Sequence, residues 1–196
     1  KNNLQTIASL LRLQARRSNS MEVKEALKES VNRILSISVV HEFLSQQGDE
    51  NIDVMEVTKN ILQLIQQNML DSHFKLETEF IGETIILPSK QASNLALIIN
   101  ELILNSIEHG FLGRNYGKIG LKISQSDEAY IIELYDNGNG LPEKFFDLPT
   151  KSLGLQIVRT LIEGDMNGSF DLYNDNGVHA KIAIPYKFLM ESEVDV

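Results

Sequence analysis

From Leu95 to His109 the chain runs Leu-Ala-Leu-Ile-Ile-Asn-Glu-Leu-Ile-Leu-Asn-Ser-Ile-Glu-His, an apolar helical pattern interrupted at regular intervals by polar side chains. Glu101, Asn105 and His109 stand four residues apart. A continuous helix therefore projects all three from one stripe while Ile98, Leu102 and Ile103 turn toward a core. Such a helix belongs on an apolar layer with one edge facing a polar ligand, which already narrows the fold to a layered domain built around it.

The layer is visible on either side. Val54, Val57, Ile61, Leu64 and Ile65 repeat with helical period, and Gly154 to Glu163 carries Leu155, Val158, Leu161 and Ile162 at the same spacing. Phe74 to Phe80 and Thr84 to Pro88 read as two strands before a helix entered at Ser89. Strand alternation recurs at Ile119, Leu121 and Ile123, at Tyr130, Ile132 and Leu134, at Phe170 and Leu172, and from Val178 to Ile184. Three helices and five to six strands predict an α+β two-layer sandwich with the helices on one face of the sheet.

Ahead of it, Leu4, Ile7, Leu10, Leu11 and Gln14, then Leu27, Val31, Ile34, Leu35 and Ile37, predict two helices split at Ser18 to Ser20. Two helices alone bury too little surface to be stable, so an N-terminal α-helical hairpin over 1–47 is expected to pair with a second copy as a four-helix bundle. The other possibility is that it packs on the rest of the chain. Gln46 to Asn51 reads as a polar linker, giving 48–52 as linker, 53–188 as the sandwich domain and 189–196 as a C-terminal tail.

The chain has 196 residues, 42% of them apolar, enough for one ordinary domain and a small accessory unit. The absence of cysteine excludes a disulfide framework and suits a reducing compartment, with the cytoplasm as the default expectation. No apolar run approaches the roughly 20 residues of a membrane helix, so no membrane contact is expected of this segment. Its start at Lys1 suggests a piece of a longer protein with a sensor or membrane region upstream. A net charge of −9 argues against direct nucleic-acid binding, which needs clustered Lys and Arg.

Asp136 closes an alternating strand and is followed by Gly138 and Gly140, placing a carboxylate beside backbone that a ligand can approach closely. The exocyclic amine of adenine suits such a carboxylate, although Asp-Asn-Gly is also a common hairpin turn. Gly154 opens a helix after Lys151-Ser152-Leu153, where free N–H groups can receive a triphosphate or simply mark a flexible helix entry. Between them, Leu141 to Ser152 has two prolines and no period, as a lid would, with Phe145 and Phe146 as its anchors. Asn105 suits an oxygen ligand to Mg2+ carried by phosphates, or a buried structural amide. A Walker loop is absent, Glu143 breaks the dinucleotide fingerprint, and Gly138 occupies a position where a calcium loop needs an oxygen.

In order and content, these segments resemble the Bergerat-type ATPase domain shared by sensor histidine kinases, Hsp90-like chaperones and MutL-like repair proteins, over roughly residues 53 to 186. The opening Lys1-Asn2-Asn3-Leu4-Gln5 to Gln14 resembles the first dimerisation helix of the HisKA_2 class of histidine kinases, where a His-Arg-Val triplet commonly precedes Lys-Asn-Asn. The resemblance implies ATP and Mg2+ as cofactors and a phosphoacceptor histidine three residues before Lys1. It also implies a homodimer through the N-terminal helices and a response-regulator receiver domain as partner. His41 imitates a phosphoacceptor motif but fits the class pattern Val-His-Glu-x-Leu, and reads as structural or part of the linker region.

Carried over by resemblance, Glu101 would position a nucleophile or water, and Asn105 would bind Mg2+. His109 would approach a phosphate or the ribose, and Asp136 would accept the adenine amine. Gly138 and Gly140 would let the lid base approach, while Ser152, Gly154 and Leu155 would line the phosphates. Asn2 would orient a water for dephosphorylation of the regulator. Two departures stand out: Glu108 where relatives often carry Lys, and Val178 where Thr or Ser is usual. The alternatives are another Bergerat ATPase, such as an anti-sigma serine kinase, and a docking module that has lost ATP binding.

Overall fold

A computed structural model describes residues 2–47, 51–68, 70, 73–145 and 153–191. Helix α1 spans Asn2–Arg17 and α2 spans Met21–Gln47. The break between them is chemical: the Ser20 hydroxyl accepts the Val23 N–H at 3.3 Å and so caps one of the orphan donors opening α2. Ala8 and Val31 are buried within this hairpin.

The sandwich opens with a short strand, β1 (Asn51–Asp53), paired antiparallel with β3 (Ile86–Pro88). Asn51 and Ile52 therefore belong to the folded domain and not to a linker, because the Ile52 side chain is 3% exposed and anchors the strand in the core. Asp53 then caps α3 (Val54–Asn68), its carboxylate accepting the Glu56 N–H at 3.0 Å. Helix α4 covers Ser89–Asn105 and continues as a π-helical turn, Ser106–Gly110. Helix α5 (Leu153–Arg159) likewise passes into a π-helical segment, Thr160–Asp165.

Five strands form the main sheet: β2 (Lys75–Ile81), β4 (Tyr116–Gln125), β5 (Ala129–Asp136), β6 (Ser169–Asn174) and β7 (Val178–Pro185), in the order β2-β4-β5-β7-β6. Only β2 and β4 run parallel, with Leu76 opposite Gly117. The α4 residues Leu95, Ile98, Ile99 and Ile103 pack with Ile119, Leu121, Ile132, Leu134 and Ile182 from the sheet in one continuous core. The expected two-layer sandwich is present, with β1 and β3 as an added ribbon. Residues 186–191 form a short helix, α6, so the first part of the expected tail is ordered structure packed on β7.

The linker does not detach the hairpin. Helix α2 packs against α3 and α4, so the hairpin leans on its own sandwich domain. Among the described residues no helix is long and apolar enough to cross a membrane.

Candidate functional site

The end of β5, the π-helical turn after α4 and the start of β7 meet around Asp136. Its carboxylate is 4% exposed and held from three directions. The Ser106 hydroxyl donates to Oδ2 at 2.7 Å, while the backbone N–H groups of Gly138 and Val178 donate to Oδ1 at 2.7 and 3.2 Å. A buried carboxylate is tolerated only with such partners. Gly177 makes the third approach possible: its φ is +144°, and a Cβ there would lie 1.9 Å from the Asp136 carbonyl oxygen.

Beside Asp136 lies a cavity of about 310 Å3 lined mostly by apolar side chains, among them Leu102, Leu134, Leu155, Leu172 and Ala180, with Asn105, Ser106 and His109 as polar wall. Gly140, Leu141, Pro142 and Phe145 close it on the lid side. The lid base is pinned at Asn174, whose side chain accepts the Leu141 N–H at 2.8 Å and donates to the Leu141 carbonyl at 3.1 Å. The volume and mixture of walls suit a planar aromatic ligand with a few polar edges.

The stripe expected of a continuous α-helix is broken. Asn105 and His109 face the cavity, whereas Glu101, one turn earlier on α4, meets the hairpin; the last turn, Ser106–Gly110, is π-helical. π turns of this kind recur at functional sites. Glu101 is 5% exposed, and both of its oxygens accept from the Arg33 Nε at 2.8 and 3.0 Å. Gly154 sits directly on this pair, where a Cβ would fall 1.7 Å from Glu101 Oε1. Among the described residues the buried Nδ2 of Asn105 has no hydrogen-bond partner, a condition that a ligand oxygen would relieve.

Of the sequence-derived residues, Asn105, His109, Asp136, Gly140 and Leu155 share the cavity. Gly138 supports Asp136 from behind, and Glu101 with Gly154 forms a neighbouring corner. Ser152, and the side chains of Asn2 and His41, lie outside the described residues. Sequence reasoning missed Ser106 and Arg33. Ser106 follows Asn105 directly, a signal that could have drawn notice, but nothing local marks Arg33. The two departures also acquire partners: Asn32 donates to Glu108 Oε1 at 3.3 Å, and Val178 serves Asp136 through its backbone, for which the side chain is immaterial.

Residues 1–69 match the histidine kinase family HisKA_2, and residues 90–188 match the family of histidine kinase-, DNA gyrase B- and HSP90-like ATPases. The chain belongs to the histidine kinases. This histidine kinase chain is 38% identical over 188 residues to the sensor histidine kinase PdtaS of Mycobacterium tuberculosis, an alignment covering 94% of this chain and 37% of that protein. It thus spans well under half the length of that relative. A histidine kinase domain from the blue-light-activated histidine kinase of Erythrobacter litoralis shares the fold, with a TM-score of 0.66 and 22% identity, covering 97% of this chain and 91% of that one. The catalytic domain of histidine kinase ThkA matches 69% of this chain and 93% of its own, with a TM-score of 0.57 and 22% identity.

Proposed function

We propose that this chain is the transmitter core of a two-component sensor histidine kinase. In this reading it takes Mg-ATP in the Asp136 cavity, phosphorylates a histidine, and passes the phosphoryl group to a receiver-domain aspartate of a response regulator. The observation that carries the reading is the state of Asp136. A carboxylate offers about four acceptor positions; two on Oδ1 and one on Oδ2 are taken by protein donors. The remaining position on Oδ2 suits one further N–H donor, as the exocyclic amine of adenine supplies, with apolar walls for the ring.

The other roles follow in this reading. Asn105, with its unsatisfied Nδ2, faces the phosphates and its amide oxygen would hold Mg2+. No cluster of three or more His, Asp or Glu suited to a metal exists among the described residues, so the ion would be shared with phosphate oxygens, as is usual for magnesium. When bound, Mg2+ neutralises charge on the phosphates. His109 would reach a phosphate or the ribose, and Ser152, Gly154 and Leu155 would border the phosphates. The chain's own part is to position and to exclude water, which is most of what phosphoryl transfer asks of a protein. Glu101 and Asn2 are the proposed positioning groups for the attacking and the hydrolytic step. The proposed setting is the cytoplasm.

Calorimetric titration with a non-hydrolysable ATP analogue and Mg2+ tests the site. We expect binding by the parent, and loss of at least roughly tenfold in Asp136→Asn and Asn105→Ala, the scale of one charge-assisted or buried hydrogen bond. A folded parent that takes no nucleotide at millimolar ligand would remove the kinase reading in favour of a docking module.

A further inference from the structure

The phosphate side of this site is acidic. The chain carries a net charge of −9, Asp136 is committed to the ring, and Glu101 and Glu108 both stand on the helix and turn that border the cavity. A bare glutamate at position 101 would oppose a triphosphate arriving beside Gly154. Its compensation comes from outside the sandwich domain. Arg33, on α2 of the hairpin, is 68 residues away in the chain and meets both Glu101 oxygens, with side-chain exposures of 16% and 7% for the pair. The contact reaches the phosphate corner itself: a Cβ on Gly154 would lie 3.0 Å from Arg33 Nη2. The Nε of Arg33 spans the carboxylate, and its Nη2 lies on the Gly154 side. Asn32, the residue before it, meets Glu108 at 3.3 Å, so the hairpin addresses both acids at once.

We propose that Arg33 is a positioning residue that holds Glu101 in place and balances its charge, so that full affinity for the triphosphate requires the hairpin docked on the nucleotide helix. The proposal rests on the nucleotide reading of the cavity. Its consequence is reciprocal: whatever lifts α2 from α4 weakens the hold on triphosphate, and bound triphosphate favours the docked hairpin. The adenine end, built from Asp136 and apolar walls, is indifferent to Arg33.

The test compares two ligands, a Mg-bound non-hydrolysable ATP analogue and plain adenosine followed by ligand-observed NMR. Arg33→Met is expected to weaken the triphosphate on the order of tenfold, since an uncompensated charge in a partly buried site acts strongly on a neighbouring anion. Adenosine should change by less than about twofold, within the non-additivity of distant sites. Adding Glu101→Gln to Arg33→Met should restore most of the loss, and Arg33→Lys should retain part of the affinity. Should Arg33→Met fold poorly, Glu101→Gln alone, keeping the arginine, is expected to bind triphosphate more tightly than the folded double variant. Equal weakening of both ligands without rescue would assign Arg33 a structural role and overturn the proposal while leaving the nucleotide reading intact. A parent that binds neither ligand would end both.

Discussion

Ser106 and Asp136 are 30 positions apart, yet a hydroxyl donated over 2.7 Å makes them one unit. Ser106 is 5% exposed, so replacing it with Ala leaves Oδ2 of a buried carboxylate without its protein donor. We expect Ser106→Ala to destabilise the nucleotide-free chain by about 1.5–3 kcal/mol, the range for hydrogen bonds to a charged group. This would appear as a lower urea midpoint at unchanged slope. At this scale the site was half legible. Asp136 and Asn105 announce themselves because a carboxylate ending an apolar strand and an amide inside an apolar helix are each costly without a partner. Ser106 does not, since a serine within a helix satisfies itself on the preceding turn, as its second contact to the Leu102 carbonyl at 3.3 Å illustrates. The Arg33–Glu101 pair was invisible because no local pattern encodes a contact between an exposed-looking arginine and a helix 68 residues away.

Among the elements, the strands and helices were legible from their periods, while their irregularities were not. The π turn at Ser106–Gly110 leaves composition and apolar spacing unchanged, yet it departs from the continuous α-helix that the spacing predicts. The outer face of the sheet is another case, because its residues read only as the polar half of alternating strands. There Tyr135, His179 and Tyr173 stack in sequence, with centroids 5.2 Å apart at each step. Tyr135 lies across Gly120, where a Cβ would be 2.1 Å from the ring, and its hydroxyl donates to Glu79 on β2. Glu133 accepts from the Tyr173 hydroxyl at 2.5 Å and pairs with His179 Nδ1 at 2.9 Å. Burial and the Glu79 hydrogen bond push the Tyr135 phenol up to about 12, and the bond to Glu133 with burial does the same for Tyr173. Both raised values favour the neutral phenol in the fold. Their contribution is therefore complete below the ordinary tyrosine value of 10.0 and is lost as the pH climbs to about 12. Urea unfolding across that window should show stability falling with pH, and Tyr135→Phe with Tyr173→Phe should flatten the fall. A slope unchanged by the double substitution would show that the ladder is not what titrates.

For the whole molecule the open question is what covers the far side of the hairpin. Helix α2 has a partner in the sandwich domain, but α1 presents Ile7, Leu10 and Leu13 at 45%, 57% and 45% exposure, three or six residues apart and thus on one face. On α2, Val23 at 46% and Ile37 at 37% are exposed as well. Single exposed apolar residues need no explanation, but a stripe of them along a helix marks an interface. The HisKA_2 match over residues 1–69 bears on its occupant, because that part of histidine kinases dimerises. Two hairpins meeting along this stripe would complete a four-helix bundle while each α2 stays docked on its own α4. The chain should then sediment as a dimer, and Leu10→Glu with Leu13→Glu should convert it to a monomer by placing charges where two copies meet. Nucleotide affinity should survive the change, since the groups that meet Glu101 and Glu108, Arg33 and Asn32, belong to α2 and not to α1. A double variant that stays dimeric would move the interface off α1. One that loses the dimer and the triphosphate together would instead mean that dimerisation is what keeps α2 in place against Glu101.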